Sequence, residues 1–350
     1  MNYFQLFSIS YMTNSVMSEL PYYGLSNTEL QKQLTNDRLS MMFDNNEFVD
    51  YLNNLNSSCL LKELNFQYVT EEQLTAKLKK LDRNIELSVF HMNIRSLNSK
   101  QRQICQLFEL LDYEFDVIIL TEIWTVNINF YANLFTGYDF YYDLPQDSKV
   151  GGVGLFIRNT CTVHELPQYQ ILSTRTSVVE NKWVEVTKES RKYIIGGIYR
   201  HPNQNIADFT SLLEPVLNSI SDQKLPCIIA GDINIDLTKS RVNENTSRYV
   251  DSLLTNNFLP TVLMPTRITP SSATLIDHMY YFDGCGSQNK VAQSGNLLAD
   301  ISDHLPNFML ILHDKMEPAK RPQIRIMSKK NREKFFEELG STDWSAFYAE

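Results

Sequence analysis

Between Leu87 and Leu312 the apolar residues come in short runs of four to seven, each closed by turn residues. That segmentation constrains the fold more than any other feature. The runs are Leu87 to Met92, Val117 to Leu120, Gly152 to Ile157, Trp183 to Val186, Tyr193 to Tyr199, Cys227 to Ala230 and Phe308 to Leu312. Their Val, Ile, Phe and Tyr content and their length predict buried strands. Two stretches change period. Ile104, Leu107, Phe108 and Leu111 recur at three- and four-residue spacing, as do Phe209, Leu212, Leu213, Val216, Leu217 and Ile220, and both predict helices. Strands joined sometimes by one helix and sometimes by a turn give two sheets covered by helices. No run approaches the ~20 apolar residues of a membrane span, so no membrane partner is expected. No repeat of about 20 to 50 residues recurs.

The flanks have a different texture. Residues 1–84 are polar, rich in Asn, Ser and Tyr, and carry no sustained strand pattern. They are expected to form a partly disordered extension, with one helix signalled by the capping-box spacing of Thr70 and Gln73 before Leu74, Leu78 and Leu81. Residues 85–314 form the expected main domain. Residues 315–350 are expected to be a basic linker and an amphipathic helix around Phe335, Phe336 and Leu339. The sequence then stops at the aromatic-rich Trp344 to Glu350, as if leading into a further domain. The net charge is −9 over 350 residues, awkward for a nucleic-acid protein because non-specific affinity comes largely from Lys and Arg. The charge is uneven, however: Lys320 to Lys334 holds seven basic residues against Glu333. That run is either a solvated linker or a nucleic-acid or nuclear-import segment. Cys59, Cys105, Cys161, Cys227 and Cys285 show no metal-type pairing and read as reduced packing thiols of an intracellular protein.

Polar residues that matter for chemistry sit where the apolar runs end. Phe90-His91-Met92-Asn93 closes one run. Asn93 either caps the next helix, the commoner role for a lone Asn, or presents its carboxamide to a phosphate or a metal-bound water. Val117 to Leu120 ends in Thr121-Glu122, and strand ends are where open α/β sheets present ligands. Mg²⁺ takes hard oxygen ligands and keeps several waters, so one or two carboxylates suffice; a surface Glu is the alternative. After Cys227 to Ala230 comes Gly231-Asp232-Ile233-Asn234, where Gly231 permits close backbone approach. Asp232 and Asn234 fall on one side if the chain stays extended. Asp232 can take a proton from attacking water while Asn234 orients it or the phosphate. In Ser302-Asp303-His304, the imidazole can bond a phosphoryl oxygen or move a proton. A carboxylate, for which Asp277 is the best candidate, would fix its orientation, leaving Asp303 for the metal. Tyr199 and Arg200 complete a polar rim.

Taken together, these strings resemble the endonuclease/exonuclease/phosphatase superfamily, and within it the apurinic-type endonuclease domain of non-LTR (LINE-like) retrotransposons. The resemblance runs from about Leu87 to Leu312. It rests on His91-Met92-Asn93-Ile94-Arg95-Ser96-Leu97, Leu120-Thr121-Glu122-Ile123-Trp124, Gly151-Gly152-Val153-Gly154-Leu155 and Tyr199-Arg200-His201-Pro202. It continues through Gly231-Asp232-Ile233-Asn234, Thr266-Arg267-Ile268-Thr269, Leu275-Ile276-Asp277-His278 and Ser302-Asp303-His304. The fold implied is α/β (α+β), a four-layered sandwich of two packed mixed β-sheets flanked by helices.

The activity implied is Mg²⁺-dependent nicking of one DNA strand to leave a 3′ hydroxyl, with Mn²⁺ as the alternative ion. Glu122, Asn93 and Asp303 would hold the metal. Asp232, Asn234, His304, Asp277 and Tyr199 would be catalytic, and Arg95, Arg200, Thr266 and Arg267 would bind substrate. Arg95 stands where the repair enzymes carry an acidic residue, which weakens any preference for abasic sites. DNA is the expected partner, with element RNA reached through a reverse transcriptase domain absent from this sequence; action on DNA implies a nuclear location. The alternatives are a phosphatase or phosphodiesterase of the same superfamily and a catalytically silent remnant.

Overall fold

The computed structural model describes residues 47–54, 65–125, 128–145, 150–269, 272–284, 292–313 and 329–342. Each run expected to be a strand is one. Ile85–Asn93 (β2), Val117–Thr121 (β3), Tyr138–Asp143 (β4) and Val153–Arg158 (β5) lie in a first sheet with Asn65–Val69 (β1), Ala292–Leu297 (β14) and Asn307–Leu312 (β15). Their order is β1-β14-β15-β2-β3-β5-β4. Thr162–Glu165 (β6), Val179–Lys188 (β7), Arg191–Arg200 (β8), Cys227–Asp232 (β9), Leu259–Pro260 (β10) and Asp277–Phe282 (β13) form a second sheet. Its order is β10-β13-β9-β8-β7-β6. Both sheets mix parallel and antiparallel pairs. The short hairpin of Arg267–Thr269 (β11) and Ser272–Thr274 (β12) stands apart from them.

Strands β2, β3, β5 and β15 of the first sheet are buried on both faces, which is why they read as nearly continuous apolar runs rather than alternating ones. Leu87, Val89, Val117, Ile119, Val153, Leu155, Met309 and Ile311 join the core shared with the second sheet. The intervening Phe90, Met92, Ile118, Leu120, Phe156, Phe308 and Leu310 pack outward. They meet helices Glu71–Leu81 (α2), through Leu74 and Leu78, and Leu97–Leu111 (α3), through Leu97, Ile104, Leu107 and Leu111. Helices Ile206–Gln223 (α4) and Glu244–Thr255 (α5) join the other core through Phe209, Leu213, Leu217 and Tyr249. The period of two along β2 continues past the apolar residues, so His91 and Asn93 fall on the inner face with Leu87 and Val89. The polar end of the inter-sheet layer is therefore written into strand parity.

Described segments before residue 85 pack with the elements that follow it. β1 pairs in parallel with β14. Helix α2 carries the predicted capping box, Thr70 Oγ1 accepting from Gln73 N at 3.3 Å while Gln73 Oε1 accepts from Thr70 N at 3.0 Å. Helix Glu47–Asn54 (α1) buries Phe48 and Leu52 in the shared core. Strand β1 escapes a pattern search because it is a five-residue polar-apolar strand whose partner lies more than two hundred positions away. A separate unit begins at Asp314 and contains helix Lys329–Ser341 (α6). The aromatic-rich end at Trp344, most of the basic run, and Cys59 and Cys285 lie outside the described residues; Cys105, Cys161 and Cys227 are free thiols. No described helix is long and apolar enough to cross a membrane.

Candidate active site

The site is assembled by register. Across the second sheet, Asp277 pairs directly with Asp232 and Asp232 with Tyr199, so three polar side chains occupy one level on three adjacent strands. Across the first sheet Asn93 pairs with Thr121, placing Glu122 one residue beyond. Gly231 is required here: a Cβ at that position would lie 1.7 Å from the Ile198 carbonyl oxygen.

The two sheets meet through Asn93. Its Nδ2 donates to Glu122 Oε1 at 2.8 Å and to Asp232 Oδ2 at 2.7 Å. Helix capping falls instead to Ser96, whose hydroxyl accepts from Ser99 N, leaving the Asn93 carboxamide free to join two carboxylates. Beside it, His304 Nδ1 and Asp277 Oδ2 are 2.8 Å apart, and Thr266 Oγ1 donates to the same Asp277 oxygen at 2.6 Å. Donor atoms of Asp232, Asp277 and His304 all lie within 4.8 Å of one another. The loops that carry these groups are tied together, since Ser302 Oγ donates to the Asn93 carbonyl at 2.6 Å. Behind the site, His91 bridges Asn307 Oδ1 and Thr121 Oγ1 on the inner face of the first sheet.

The electrostatics follow from burying unlike numbers of charges. Burial opposes a charge on His304, but Asp277, then Asp232 and Asp303, outweigh it and raise its pKa to about 9, so it is an imidazolium at neutral pH. Burial opposes the charge on Asp277 too, and His304 reverses that, holding it below the usual carboxylate range. Asp232 goes the other way: burial and the Asp277 charge push it up, with His304 and Asn93 only partly compensating. The Tyr199 phenol is raised by burial and by Glu122, Asp232 and Glu180.

Left-handed backbone clusters on the same rim, at Arg95 (φ 47°), Ser96 (φ 86°), Glu122 (φ 54°), Trp124 (φ 47°) and Asn234 (φ 51°). Non-glycine residues in that region store strain, which persists only where surrounding structure holds it. At Asn234 it replaces the extended path expected after Asp232. The chain turns back, so Asn234 N donates to Asp232 Oδ1 at 3.0 Å and its Nδ2 to the Arg200 carbonyl at 2.8 Å.

Three expected site residues have partners within the protein. Arg200, expected to bind substrate, is buried at 1% exposure; its Nη1 donates to the carbonyls of Ile233 and Asn234 and its Nη2 to that of Gln204. It fastens the Asn234 turn. Thr266 is buried and spends its hydroxyl on Asp277, so it orients a carboxylate rather than touching substrate. Asp303, expected as a metal ligand, gives one oxygen to Arg95 Nη1 at 2.8 Å and to Arg267 Nε and Nη2 at 3.0 and 2.7 Å. Burial would raise its pKa, but His304 and the two guanidiniums bring it to about 2. That oxygen is crowded by two cations, while Oδ1 is buried without a hydrogen-bond partner among the described residues. Both arginines stay partly exposed, at 50% and 40% of their side chains. The pair Glu180 and His201 beside the site was missed, because nothing local in either segment marks it.

Hard oxygen donors from Glu122 and Asp232, bridged by the Asn93 amide, fit a divalent cation such as Mg²⁺.

The Endonuclease/Exonuclease/phosphatase family model matches residues 90–304. An endonuclease/exonuclease/phosphatase family protein from Bacteroides thetaiotaomicron shares the fold at 16% identity, covering 65% of this chain and 95% of that one with a TM-score of 0.51. The endonuclease domain of TRAS1, a telomere-specific non-LTR retrotransposon, is similar at 14% identity, 64% and 97% coverage and TM-score 0.49. A mannosyl-6-phosphatase of Bacteroides thetaiotaomicron is similar at 14% identity, 65% and 100% coverage and TM-score 0.49. No curated protein sequence matches the chain. The matched span takes in every element that carries the site, and on that ground the chain belongs to the endonuclease/exonuclease/phosphatase family.

Proposed function

We propose that the chain is a divalent-metal-dependent DNA endonuclease of the non-LTR retrotransposon type, acting on nuclear DNA. One observation carries the reading: Asn93 joins Glu122 on one sheet to Asp232 on the other, next to the Asp277–His304 pair. Glu122, with the Asn93 carboxamide beside it, would hold Mg²⁺, or Mn²⁺ in its place. When bound, the ion supplies Lewis-acid stabilisation of charge on the phosphoryl oxygens.

The remaining steps fall to side chains. Asp232, with its raised pKa, takes the proton of a water that attacks phosphorus in line. Protonated His304, fixed by Asp277, donates to a non-bridging oxygen as negative charge builds there. Tyr199 donates its phenolic hydrogen to the same phosphate, and Asn234 lines the opposite wall. The bond between phosphorus and O3′ breaks, and O3′ leaves to become a hydroxyl with a proton from solvent. Arg95 and Arg267, half exposed beside His304, suit a neighbouring backbone phosphate. That favours a polymer over a phosphomonoester. The retrotransposon assignment rests on the Asn-Ile-Arg-Ser-Leu, Thr-Arg-Ile-Thr and Leu-Ile-Asp-His strings.

The test is nicking of supercoiled plasmid with Mg²⁺, run beside hydrolysis of a phosphoinositide and of a sugar phosphate. Nicking that needs the metal and leaves 3′ hydroxyl ends supports the reading. Turnover of the small phosphates with an intact plasmid replaces it with a phosphatase.

A further inference from the structure

Glu122 stands on a turn with left-handed residues at Glu122 and Trp124 and the buried Ile123 between them. The turn is gripped from two sides. On one, Ser96 N and Leu97 N donate to the carbonyls of Glu122 and Ile123 at 2.8 and 3.0 Å. On the other, Trp124 N and Ile123 N donate to the carbonyls of Gly151 and Gly152 at 3.0 and 3.4 Å. Those glycines have φ of +115° and +89°, and their shape depends on a pair of side chains that the reaction does not use. Glu180 is 4% exposed. Both its oxygens lie 3.0 Å from His201 Nε2, and Oε2 accepts from Gly152 N at 3.3 Å. The fit is close: a Cβ on Gly151 would come within 2.9 Å of Glu180 Oε2 and 3.0 Å of His201 Nε2. The pair also borders the other wall of the site. Glu180 pairs with Tyr199 across β7 and β8, and the His201 and Tyr199 rings are 4.9 Å apart.

We propose that Glu180 and His201 are a positioning pair for the cation site: they hold the Gly151-Gly152 turn, and that turn holds the Glu122 carboxylate. The inference rests on reading Glu122 as a cation ligand. A buried carboxylate that accepts both a backbone N–H and an imidazole N–H has little freedom, and groups that orient a ligand set its metal affinity.

The experiment is calorimetric titration of the full chain with Mg²⁺ alone, alongside the dependence of nicking rate on Mg²⁺ and on DNA. Glu180→Gln should fold as judged by circular dichroism and bind Mg²⁺ about 10- to 100-fold more weakly. The Mg²⁺ concentration for half-maximal rate should rise in step, while KM for DNA stays within about twofold. His201→Ala should behave alike, and His201→Gln, which keeps an N–H donor, should recover most of the affinity. Wild-type Mg²⁺ affinity in Glu180→Gln overturns the proposal. If that variant does not fold, equal affinities in His201→Ala and wild type overturn it instead. A wild-type chain that binds Mg²⁺ but cuts no DNA ends the nuclease reading and leaves the affinity comparison standing. A wild-type chain that binds no Mg²⁺ ends both.

Discussion

The two ends of the sandwich bury acidic groups in opposite ways. At the end where β2 and β8 begin, Glu86 meets Arg191 and Tyr193, with His313 at 3.6 Å. Nearby, Asp116 Oδ2 accepts from Ser88 N, Ser88 Oγ and Lys188 Nζ at 2.8, 2.9 and 2.8 Å. Each carboxylate there has a basic neighbour. At the other end Glu122, Asp232 and Asp277 converge with one imidazolium, while the nearby Arg200 guanidinium is turned to backbone carbonyls. The first end is charge-balanced and structural. In the second, Glu122 and Asp232 are joined by an amide rather than by a cation, which suits a site for a divalent cation.

The largest expected contrast is in rate. Asp232→Asn and His304→Ala should each lower kcat for plasmid nicking by about 10³-fold, within the range for losing one acid-base or electrostatic group. Asp116→Asn, on a carboxylate as deeply buried, should leave kcat within about twofold. Equal losses at both ends would erase the distinction.

Stability should show the reverse. Asp116→Ala leaves Lys188 and the Ser88 donors unpaired and should cost about 2–4 kcal/mol in urea denaturation. Should it cost nothing, the balanced end is not the structural one.

Two histidines at the site end sharpen the comparison by pH. His278 is buried with Nε2 donating to the Ile235 carbonyl at 2.9 Å and Nδ1 accepting from Tyr249, and burial lowers its pKa to about 4. The unfolded chain binds the proton more readily, so stability from this group falls as pH drops from about 6.5 to 4. His304 has the opposite sign. With a folded pKa near 9, its contribution is complete below about 6.5 and is lost as pH rises toward 9. Each limb is worth about 3 kcal/mol. In metal-free chemical denaturation across pH, His278→Gln should flatten the acid limb and His304→Gln the alkaline one. The same limb flattening in both variants would contradict the assignment.

The smallest effect is Glu122→Gln without metal. Relief of carboxylate repulsion should raise stability by about 1 kcal/mol while nicking is lost, as expected where function opposes stability. A lower melting temperature would show that Glu122 is already compensated.

How much of this was legible in the sequence depends on the reach of each signal. Strands β2, β3, β5 and β15 were readable because both of their faces are buried and largely apolar. Asn93, Glu122 and Asp232 each follow such a run, and strand ends are where side chains leave the sheet; His304 sits in the loop between β14 and β15. Arg200 misled: a strand-end arginine reads as a substrate contact, and only the fold reveals carbonyls wrapped around it. The pairing of Asp303 with Arg95 and Arg267 was not legible, since those partners come from distant segments. Strand β1 and the Glu180–His201 pair left no local trace, because their partners are fixed by sheet order rather than by spacing.

Asn93 spans from one β-layer to the other, so the reactive centre is split along the seam of the protein. A slip of about an ångström between layers would part its amide from Asp232 while every strand keeps its own ladder of hydrogen bonds. Turnover should therefore act as a gauge of alignment, registering loosened packing deep in the seam well before any spectroscopic sign of melting.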